Sequence, residues 1–524
     1  MTQAIATRSA PVYREKPLIR VMALTPIHGD AAFFHSAIQP PDRLVGSNPM
    51  KLLPFPCVFL AGVVAAFSDA ASAAKPNVVF IVADDLNCDL GCYGHPQVHS
   101  PHIDALARRG VLFEHAYCQY PVCNPSRASF MTGRRPNETR ILALPKGARF
   151  SSDYEYGHHF RDTISDTLTL PELFRQHGFQ AARVGKVYHF GVPGQIGTSG
   201  LDDRQSWDYL VNPAGRDKAE ENKVFTLTPG SFGGSLSWLA MDGSDDEQTD
   251  GLCATAAISL LEEYHANQQP FFLAVGFYRP HTPYVAPKRY FDLYPPDQIT
   301  LPELSIDDRR REPPAAFAGA KAVEDALTDD VRRRAIQGYR AATSFLDAQV
   351  GRVVDALDRL GLAENTIVVL TSDHGYHMSE HGLWQKMTLF ENSARVPLII
   401  AGPGAAADQT AGTMSELVDL YPTIADLCGL TPPEYVDGVS LRPALENSEA
   451  EVKAAAFTQL VRNGKLAYSI RTARWRYTLW DDGREGEQLF DMESDPRETS
   501  NLAGDPQYAA AIRELRQQLR AYAQ

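Results

Sequence analysis

Two pairs of adjacent polar residues follow apolar segments that lie far apart in the chain. Asp84 and Asp85 close the first segment, and Asp373 and His374 come just after the second. Because ligands of open α/β sheets bind outside the carboxyl ends of the strands, we expect these side chains to converge at one sheet edge. Three crowded carboxylates would repel one another unless a cation lay between them. An oxygen-rich set with one imidazole suits a hard divalent ion, Ca²⁺ or Mg²⁺, although an isolated Asp after a strand commonly caps a turn.

Cys123 lies in the segment YPVCNPSRASFMTGRR, just before a predicted helix. Asn124 is a good N-cap and Pro125 fits the first helical position. Backbone N–H groups at a helix N-terminus favour an anion, and Arg127 returns to the same helix face four residues after Cys123. A buried structural cysteine is the ordinary alternative, so an assignment depends on the wider motif.

The alternation of apolar strands and amphipathic helices predicts an α/β fold with a large, mostly parallel sheet flanked by helices. Strands of this sheet are predicted at residues 77–83, 270–277, 366–370 and 398–401, and a long helix at about 329–360. The two polar pairs follow the first and third of these strands. Binding at a sheet edge would require that placement.

A smaller C-terminal α+β subdomain is predicted after the large sheet. Its expected elements are two antiparallel strands and a closing amphipathic helix, at residues 474–478, 488–491 and 508–522. We place the boundary near residue 404. Residues 74–404 would then form the catalytic domain, and residues 405–524 the C-terminal subdomain.

Residues 50–73 have the pattern of a secretory signal peptide. Lys51 precedes an apolar run that ends in Ala71-Ser72-Ala73, a small-residue cleavage site. The run is too short and too interrupted by proline to span a bilayer comfortably, so we expect no stable membrane span, an anchor helix being the alternative. Since a signal peptide begins at the initiator, we expect Met50 to be the true start and residues 1–49 to be a mis-called extension. The mature protein would be secreted or periplasmic.

Composition excludes several function classes. The 524 residues carry 50 Lys and Arg against 64 Asp and Glu, a net charge of −14, so no nucleic-acid partner is expected. The apolar share of 44% and the charged share of 22% are typical of a soluble globular protein. Seven cysteines without a CxxC pair argue against a zinc ribbon or a disulfide scaffold. An anionic substrate would therefore need positive charge concentrated in a pocket.

A series of motifs along the chain resembles the sulfatase family. The most specific is the string CNPSR at residues 123–127, which matches the family signature Cys-x-Pro-Ser-Arg. The other motifs follow in the family's order: Ala83-Asp84-Asp85, Gly185-Lys186-Val187-Tyr188-His189, Pro280-His281-Thr282-Pro283, Ser372-Asp373-His374-Gly375 and Lys386. The strings VGKVYH and FFLAVGF, and His374 where most sulfatases have Asn, make the chain most similar to the iduronate-2-sulfatase subgroup.

This resemblance implies a fold, cofactors and site roles. The fold would be alkaline-phosphatase-like, one Ca²⁺ would be bound, and a formylglycine-generating or equivalent maturation enzyme would oxidise Cys123 to 3-oxoalanine (formylglycine). The implied metal ligands are Asp84, Asp85, Cys123, Asp373 and His374. The implied catalytic residues are Cys123 as the hydrated nucleophile, Arg127 orienting the hydrate, Lys186 and Lys386 binding sulfate oxygens, His189 assisting proton transfer, and His281 protonating the leaving oxygen.

The implied activity is hydrolysis of sulfate esters on a carbohydrate, most similar to removal of the 2-O-sulfate of a uronate. One alternative keeps the site but changes the ester, as in formylglycine-dependent phosphodiesterases and phosphonate monoester hydrolases. Another is a non-catalytic binder of sulfated glycans, which applies if Cys123 stays a thiol. Residues 194–250, rich in Gly, Ser, Asp and Asn, are expected to form long surface loops that select the substrate.

Overall fold

The computed structural model describes residues 75–142, 159–302 and 306–523. The predicted signal peptide and the extension before it lie outside these residues. The strands, numbered in chain order, are β1 (Asn77–Asp84), β2 (Gly110–Tyr117), β3 (Gln180–Gly185), β4 (Tyr209–Val211), β5 (Phe225–Thr226), β6 (Ser237–Met241), β7 (Phe271–Pro280), β8 (Tyr284–Pro287), β9 (Thr366–Ser372), β10 (His377–Met378), β11 (Trp384–Gln385), β12 (Arg395–Val396), β13 (Leu398–Ala401), β14 (Gln409–Glu416), β15 (Ala455–Arg462), β16 (Lys465–Thr472), β17 (Trp475–Trp480) and β18 (Glu487–Asp491).

The α-helices vary from single turns to a helix of 31 residues. They are α1 (Pro101–Arg108), α2 (Cys123–Thr132), α3 (Pro136–Thr139), α4 (Leu170–Gln176), α5 (Arg216–Ala219), α6 (Thr249–Asn267), α7 (Lys288–Phe291), α8 (Ile306–Arg311), α9 (Ala322–Asp325), α10 (Asp329–Arg359), α11 (Glu391–Ala394), α12 (Leu420–Leu427), α13 (Arg442–Glu446) and α14 (Ala509–Ala523). Within the described segments, none of them combines the length and apolarity needed to cross a bilayer. The six cysteines of these segments are free thiols.

A nine-stranded sheet forms the centre of the fold. Its order is β12-β2-β13-β9-β1-β7-β3-β4, and β14 joins it by pairing with β2. Parallel pairing predominates around β1, which lies between β9 and β7, whereas β12 and β13 run antiparallel to their neighbours. The predicted large, mostly parallel mixed sheet is therefore confirmed.

Both faces of this sheet are buried, as the continuous apolar sequence of β1 predicts. Val78, Phe80 and Val82 of β1 point into one core, together with side chains of α2, α4 and α12. Val79 and Ile81 point into the other, which α6 and α10 cover. Helices on both faces leave the carboxyl edge of the sheet as the place where polar side chains gather.

The large sheet extends beyond the predicted domain boundary. We expected its last strand at residues 398–401, before a boundary near residue 404, but β14 also belongs to it and runs parallel to β2. The polar sequence QTAGTMSE, exposed at its start, carries no apolar run that would mark a strand. The small sheet of the C-terminal subdomain is the antiparallel meander β15–β18, covered by α14. Residues 194–250 are also more ordered than expected, since they contain β4–β6 and α5, elements too short to show periodicity.

Candidate active site

The two polar pairs meet because β1 and β9 are parallel neighbours. Ala83 lies opposite Ser372 in the register, so the residues that follow each strand emerge side by side. The backbone N–H of Asp85 donates to Oδ1 of Asp373 at 3.1 Å. Asp84, Asp85, Asp373 and His374, here called the carboxylate cluster, are all fully buried. The structure thus brings together the side chains that the sequence placed at one sheet edge.

The geometry of the carboxylate cluster fits a divalent cation. Ligand atoms of Asp84, Asp85 and Asp373 all lie within 4.8 Å of one another, and so do those of Asp85, Cys123 and His374. Nδ1 of His374 lies 3.0 Å from the carbonyl oxygen of Gly375, which leaves Nε2 directed into the cluster, 3.4 Å from Oδ1 of Asp85. A backbone acceptor that fixes the far ring nitrogen is the usual partner of a metal-binding histidine.

Three cations surround these carboxylates: Lys186, Lys386 and Arg127. The Lys186 ammonium donates to Oδ2 of Asp84 at 2.5 Å, and the Lys386 ammonium donates to both oxygens of Asp85 at 2.7 Å. Burial opposes ionisation of Asp84, but Lys186 and the other nearby cations outweigh it and hold its pKa well below the usual range. Burial raises the pKa of Asp85 to about 6, an effect that Lys386 only partly offsets. Lys186 is itself fully buried, and its ammonium is directed at Asp84.

Arg127 links the strand ends to the segment after β3. Its Nε donates to Oδ2 of Asp373 at 2.9 Å, and Nη2 lies 3.2 Å from Oδ1 of Asp84. Nη1 donates to the backbone carbonyl oxygens of Lys186 and Val187 at 2.6 and 2.9 Å. The guanidinium is fully buried, and its N–H groups donate to these carboxylate and carbonyl oxygens. In this geometry Arg127 positions the carboxylates.

Cys123 lies in the first turn of α2, beside the carboxylate cluster. Its Sγ is 3.4 Å from Oδ1 of Asp84 and 3.3 Å from Nε2 of His374. Burial and the charge of Asp84 raise the pKa of the thiol well above its usual range, so the unmodified side chain is a poor source of thiolate. The predicted helix start, with Asn124 as the N-cap, is wrong: α2 begins at Cys123, and Val122 is its N-cap residue. Pro125 is tolerated because the first-turn N–H groups have no helical acceptor in any case.

Two neutral imidazoles lie near this thiol. Nδ1 of His281 is 2.5 Å from the carbonyl oxygen of Thr282. Because a carbonyl oxygen can only accept, the ring proton resides on Nδ1. The other ring nitrogen, Nε2, can therefore take up or release a proton. That Nε2 lies 3.8 Å from Oδ2 of Asp85. Neither ring nitrogen of His189 has a hydrogen-bond partner within the described residues, although the ring is buried. Burial lowers the pKa of both rings well below the usual value, and Lys186 and Lys386 add to the effect.

A cavity of about 670 Å³ opens onto this group of residues. Cys123, His189, His281 and Lys386 line it, together with Gly230–Gly234. Further polar residues in its wall were not found from the sequence, among them Glu221, Lys321, Gln385 and Arg462. They are single residues without a motif, brought together from distant segments. The positive φ angles of Gln385 (66°) and Met387 (77°) on either side of Lys386 mark this segment as strained.

Comparison with known proteins identifies the class. The Sulfatase family model matches residues 76–430, and the model of the N-sulphoglucosamine sulphohydrolase C-terminal region matches residues 379–524. The chain therefore belongs to the sulfatase family and is a sulfuric ester hydrolase, which confirms the resemblance drawn from the motifs.

Individual proteins show what the chain is similar to in more detail. Iduronate 2-sulfatase of Mus musculus is 32% identical, over 84% of this chain and 93% of its own length. A solved 2-O GAG sulfatase is 25% identical with a TM-score of 0.64, covering 86% of this chain and 92% of that one. The phosphonate monoester hydrolase of Agrobacterium radiobacter is also 25% identical, with a TM-score of 0.68 and coverage of 86% and 96%.

Proposed function

We propose that the protein removes the 2-O-sulfate from a uronate residue of a sulfated carbohydrate, using formylglycine at position 123 and one Ca²⁺. The observation that carries the proposal is the position of Cys123, which lines the cavity and lies within 3.4 Å of Asp84 and 3.3 Å of His374. The similarity to iduronate 2-sulfatase over most of both chains supports the choice of sugar position.

The carboxylate cluster would hold Ca²⁺ together with the modified side chain of residue 123. Three carboxylates and an imidazole match the oxygen-rich coordination of this ion. The bound ion would polarise a sulfate oxygen, and the formylglycine hydrate would supply a gem-diol, one hydroxyl to attack sulfur and the other to expel sulfate afterwards.

The remaining polar side chains would manage charge and protons. Lys386, which lines the cavity, would neutralise sulfate oxygens. Lys186, which was expected to bind sulfate as well, donates to Asp84 here and would hold that carboxylate in position. Arg127 would hold Asp373 in position and orient the hydrate of residue 123. His281 would give a proton from Nε2 to the leaving oxygen, since its Nδ1 is committed to Thr282. An anionic substrate beside that ring favours its protonated form, which counteracts the lowered pKa. His189 would assist proton transfer at residue 123.

Export and maturation complete the proposal. Residues 50–73 would direct secretion or periplasmic export, and a formylglycine-generating or equivalent enzyme would oxidise Cys123. N-terminal sequencing of the exported protein tests the first point, with retention of residue 1 as the contrary outcome. Mass spectrometry of the peptide containing Cys123 tests the second, because only the aldehyde is expected in active protein.

A second candidate is hydrolysis of phosphonate monoesters or phosphodiesters, favoured by the structural similarity to the Agrobacterium radiobacter enzyme.

The full chain, co-expressed with a formylglycine-generating enzyme, should release sulfate from an unsaturated uronate-2-sulfate disaccharide but not from glucosamine-6-sulfate. Activity on the amino sugar instead would retain a sulfatase and discard the uronate. Turnover of a phosphonate monoester or phosphodiester alone would replace the proposal with the second candidate. Cys123→Ala is the matched control for every substrate.

A further inference from the structure

A buried arginine holds the backbone that carries His281. Arg279 lies near the end of β7, and its Nη1 donates to the carbonyl oxygens of His281 and Pro283 at 3.3 and 2.8 Å. Its side chain is buried, so both hydrogen bonds are shielded from water. The short segment from His281 to Pro283 is therefore tied at both ends to the guanidinium of Arg279.

A carboxylate from outside the sheet fixes the other side of this guanidinium. Nη2 of Arg279 donates to Oδ2 of Asp217 at 2.7 Å, and Asp217 is buried as well. Oδ1 of Asp217 accepts from the backbone N–H of Thr249 at 2.9 Å and from its hydroxyl at 2.5 Å. Because both oxygens of this carboxylate are bound, the carboxylate has one orientation, and so has the guanidinium that faces it. Asp217 lies on α5, within the region that the sequence assigned to substrate selection.

The same segment is connected to the cavity wall. The hydroxyl of Thr282 donates to the carbonyl oxygen of Gly233, at 2.8 Å, and Gly233 lines the cavity. The carbonyl oxygen of Thr282 accepts from Nδ1 of His281. The direction of the imidazole therefore depends on the backbone of residues 281–283, which Arg279 holds.

We propose that Arg279, held by Asp217, is a positioning residue that directs Nε2 of His281 to the leaving oxygen of the sulfate ester. The inference rests on the proposed function, in which His281 donates this proton. As the bond between sulfur and the leaving oxygen breaks, its electron pair goes to that oxygen and the proton of Nε2 neutralises it, so a misdirected ring slows the step. Arg279 is not among the described residues that line the cavity, so it acts through His281.

The test compares two aryl sulfates that differ in their need for a proton. Phenyl sulfate has a poor leaving group, whereas nitrophenyl sulfate releases a stabilised anion. In matured full-length protein, Arg279→Lys should lower kcat/KM for phenyl sulfate at least about tenfold more than for nitrophenyl sulfate, a part of the roughly 10²–10⁴-fold that a positioned acid provides. Asp217→Asn, which keeps the size of the side chain, should give a smaller loss of the same selectivity. Adding Arg279→Lys to His281→Ala should cause no further selective loss.

Arg161→Lys is the matched control. Arg161 is also paired with a buried carboxylate, that of Asp203 at 2.7 Å, and donates to the carbonyl oxygens of Ser165 and Thr167 at 3.1 and 3.0 Å. None of these four residues lines the cavity. Its substitution should therefore leave the ratio of the two kcat/KM values unchanged, even where it lowers the melting temperature.

A spectroscopic measurement tests the same point without turnover. In ¹⁵N NMR of full-length protein with labelled histidines, the His281 signals are assigned by their loss in His281→Ala. They should show one neutral tautomer, with the proton on Nδ1, because the carbonyl oxygen of Thr282 accepts it. Arg279→Lys should convert this signal into a mixture of tautomers, and Arg161→Lys should not.

The inference is overturned if Arg279→Lys slows both esters equally or leaves the tautomer of His281 unchanged. A His281→Ala protein that slows both esters equally would count against the proton role of His281 and would overturn the inference with it. Selective loss on the aryl esters, combined with no sulfate release from the uronate, would support the inference and count against the proposed sugar.

Discussion

The protein buries two charged groups of very different construction. The first is the carboxylate cluster with its three cations. The second, here called the bracing cluster, consists of Arg135, Glu416, Asp419 and Lys453, and it joins the end of β14 to the segment before β15. Arg135 makes two hydrogen bonds to Glu416 at 2.7 Å, and Lys453 contacts both oxygens of Asp419 at 2.8 and 2.9 Å. Backbone N–H groups of Glu416 and Val439 complete the shell of Asp419.

The two clusters differ in how many carboxylates converge and in whether a cavity lies beside them. In the bracing cluster, burial opposes ionisation of Glu416, but Arg135 and Lys453 outweigh it and hold its pKa far below the usual range, whereas burial raises the pKa of Asp419 although Lys453 contacts it. In the carboxylate cluster, the oxygens of three Asp residues converge, and burial raises the pKa of Asp85 to about 6 although Lys386 contacts it. Burial of charge is therefore common to both. Three converging carboxylates beside a cavity, against two carboxylates in the bracing cluster, distinguish the candidate site.

Loss of the residue 123 side chain should have the largest effect. Cys123→Ala should reduce sulfate release by at least about 10⁴-fold, the scale of removing a nucleophile, while the melting temperature stays near that of the parent. Cys118→Ala is the matched control, because Cys118 is another buried thiol, its Sγ lies 3.9 Å from the Ser393 carbonyl oxygen, and it packs in the hydrophobic core. Turnover of the Cys123→Ala protein at the parent rate would contradict the site assignment.

Breaking the bracing cluster should affect stability instead of catalysis. Glu416 is fully buried, so Glu416→Gln leaves two cations without their shared carboxylate and should destabilise the fold by about 3–5 kcal/mol. Denaturant unfolding measures this change. The kcat/KM of the protein that remains folded should equal that of the parent; a selective loss of kcat/KM would show that the two clusters are not independent.

Neutralising one carboxylate of the functional site should weaken metal binding. Asp373→Asn should lower the affinity for Ca²⁺ by at least about tenfold, since second-sphere changes alone produce effects of that size. Calorimetric titration of chelator-treated protein provides the measurement. Ca²⁺ at 100 times its Kd should also stabilise the parent by about 2.7 kcal/mol. An equal gain in the Asp373→Asn protein would place the ion elsewhere.

An exposed ion pair should have the smallest effect. Arg442 lies 2.7 Å from Glu446 on α13, with side chains 46% and 54% exposed. Arg442→Ala should cost only about 0.3–0.5 kcal/mol, because solvent already screens the pair. A loss comparable with that of Glu416→Gln would mean that burial does not explain why the bracing cluster stabilises the fold more than an exposed ion pair does.

Local sequence was sufficient to predict a structural element where one residue pattern is compatible with only one structure. The β-branched runs before Asp84 and Asp373 predicted β1 and β9, and the rule for parallel sheets then predicted that both polar pairs meet. The polar strand β14 escaped prediction because its identity depends on pairing with β2 and not on its own side chains.

The cavity wall could not be predicted for a related reason. Arg462 is one basic residue in an ordinary hairpin, and only tertiary packing of the C-terminal subdomain places it in the same cavity as Cys123. Lys186 carries a recognisable motif, but the direction of its ammonium toward Asp84 depends on the register between β3 and its neighbours. Motifs identified the chemical groups, whereas long-range packing determined which of them line the cavity.

The central position of β1 has a consequence for the order of events during synthesis. The hydrogen bond from Asp85 to Asp373 spans 288 residues, so the cluster cannot form until β9 has been made. At roughly 5–20 residues per second, that interval lasts about 15–60 s. Cys123 is separated from His374 by 251 residues, so for most of this time it is already part of the nascent chain but not yet enclosed by the partners that bury it. The modifying enzyme proposed for Cys123 would find the segment around the thiol exposed in this window, before the completed sheet buries that segment and leaves the thiol in the cavity wall.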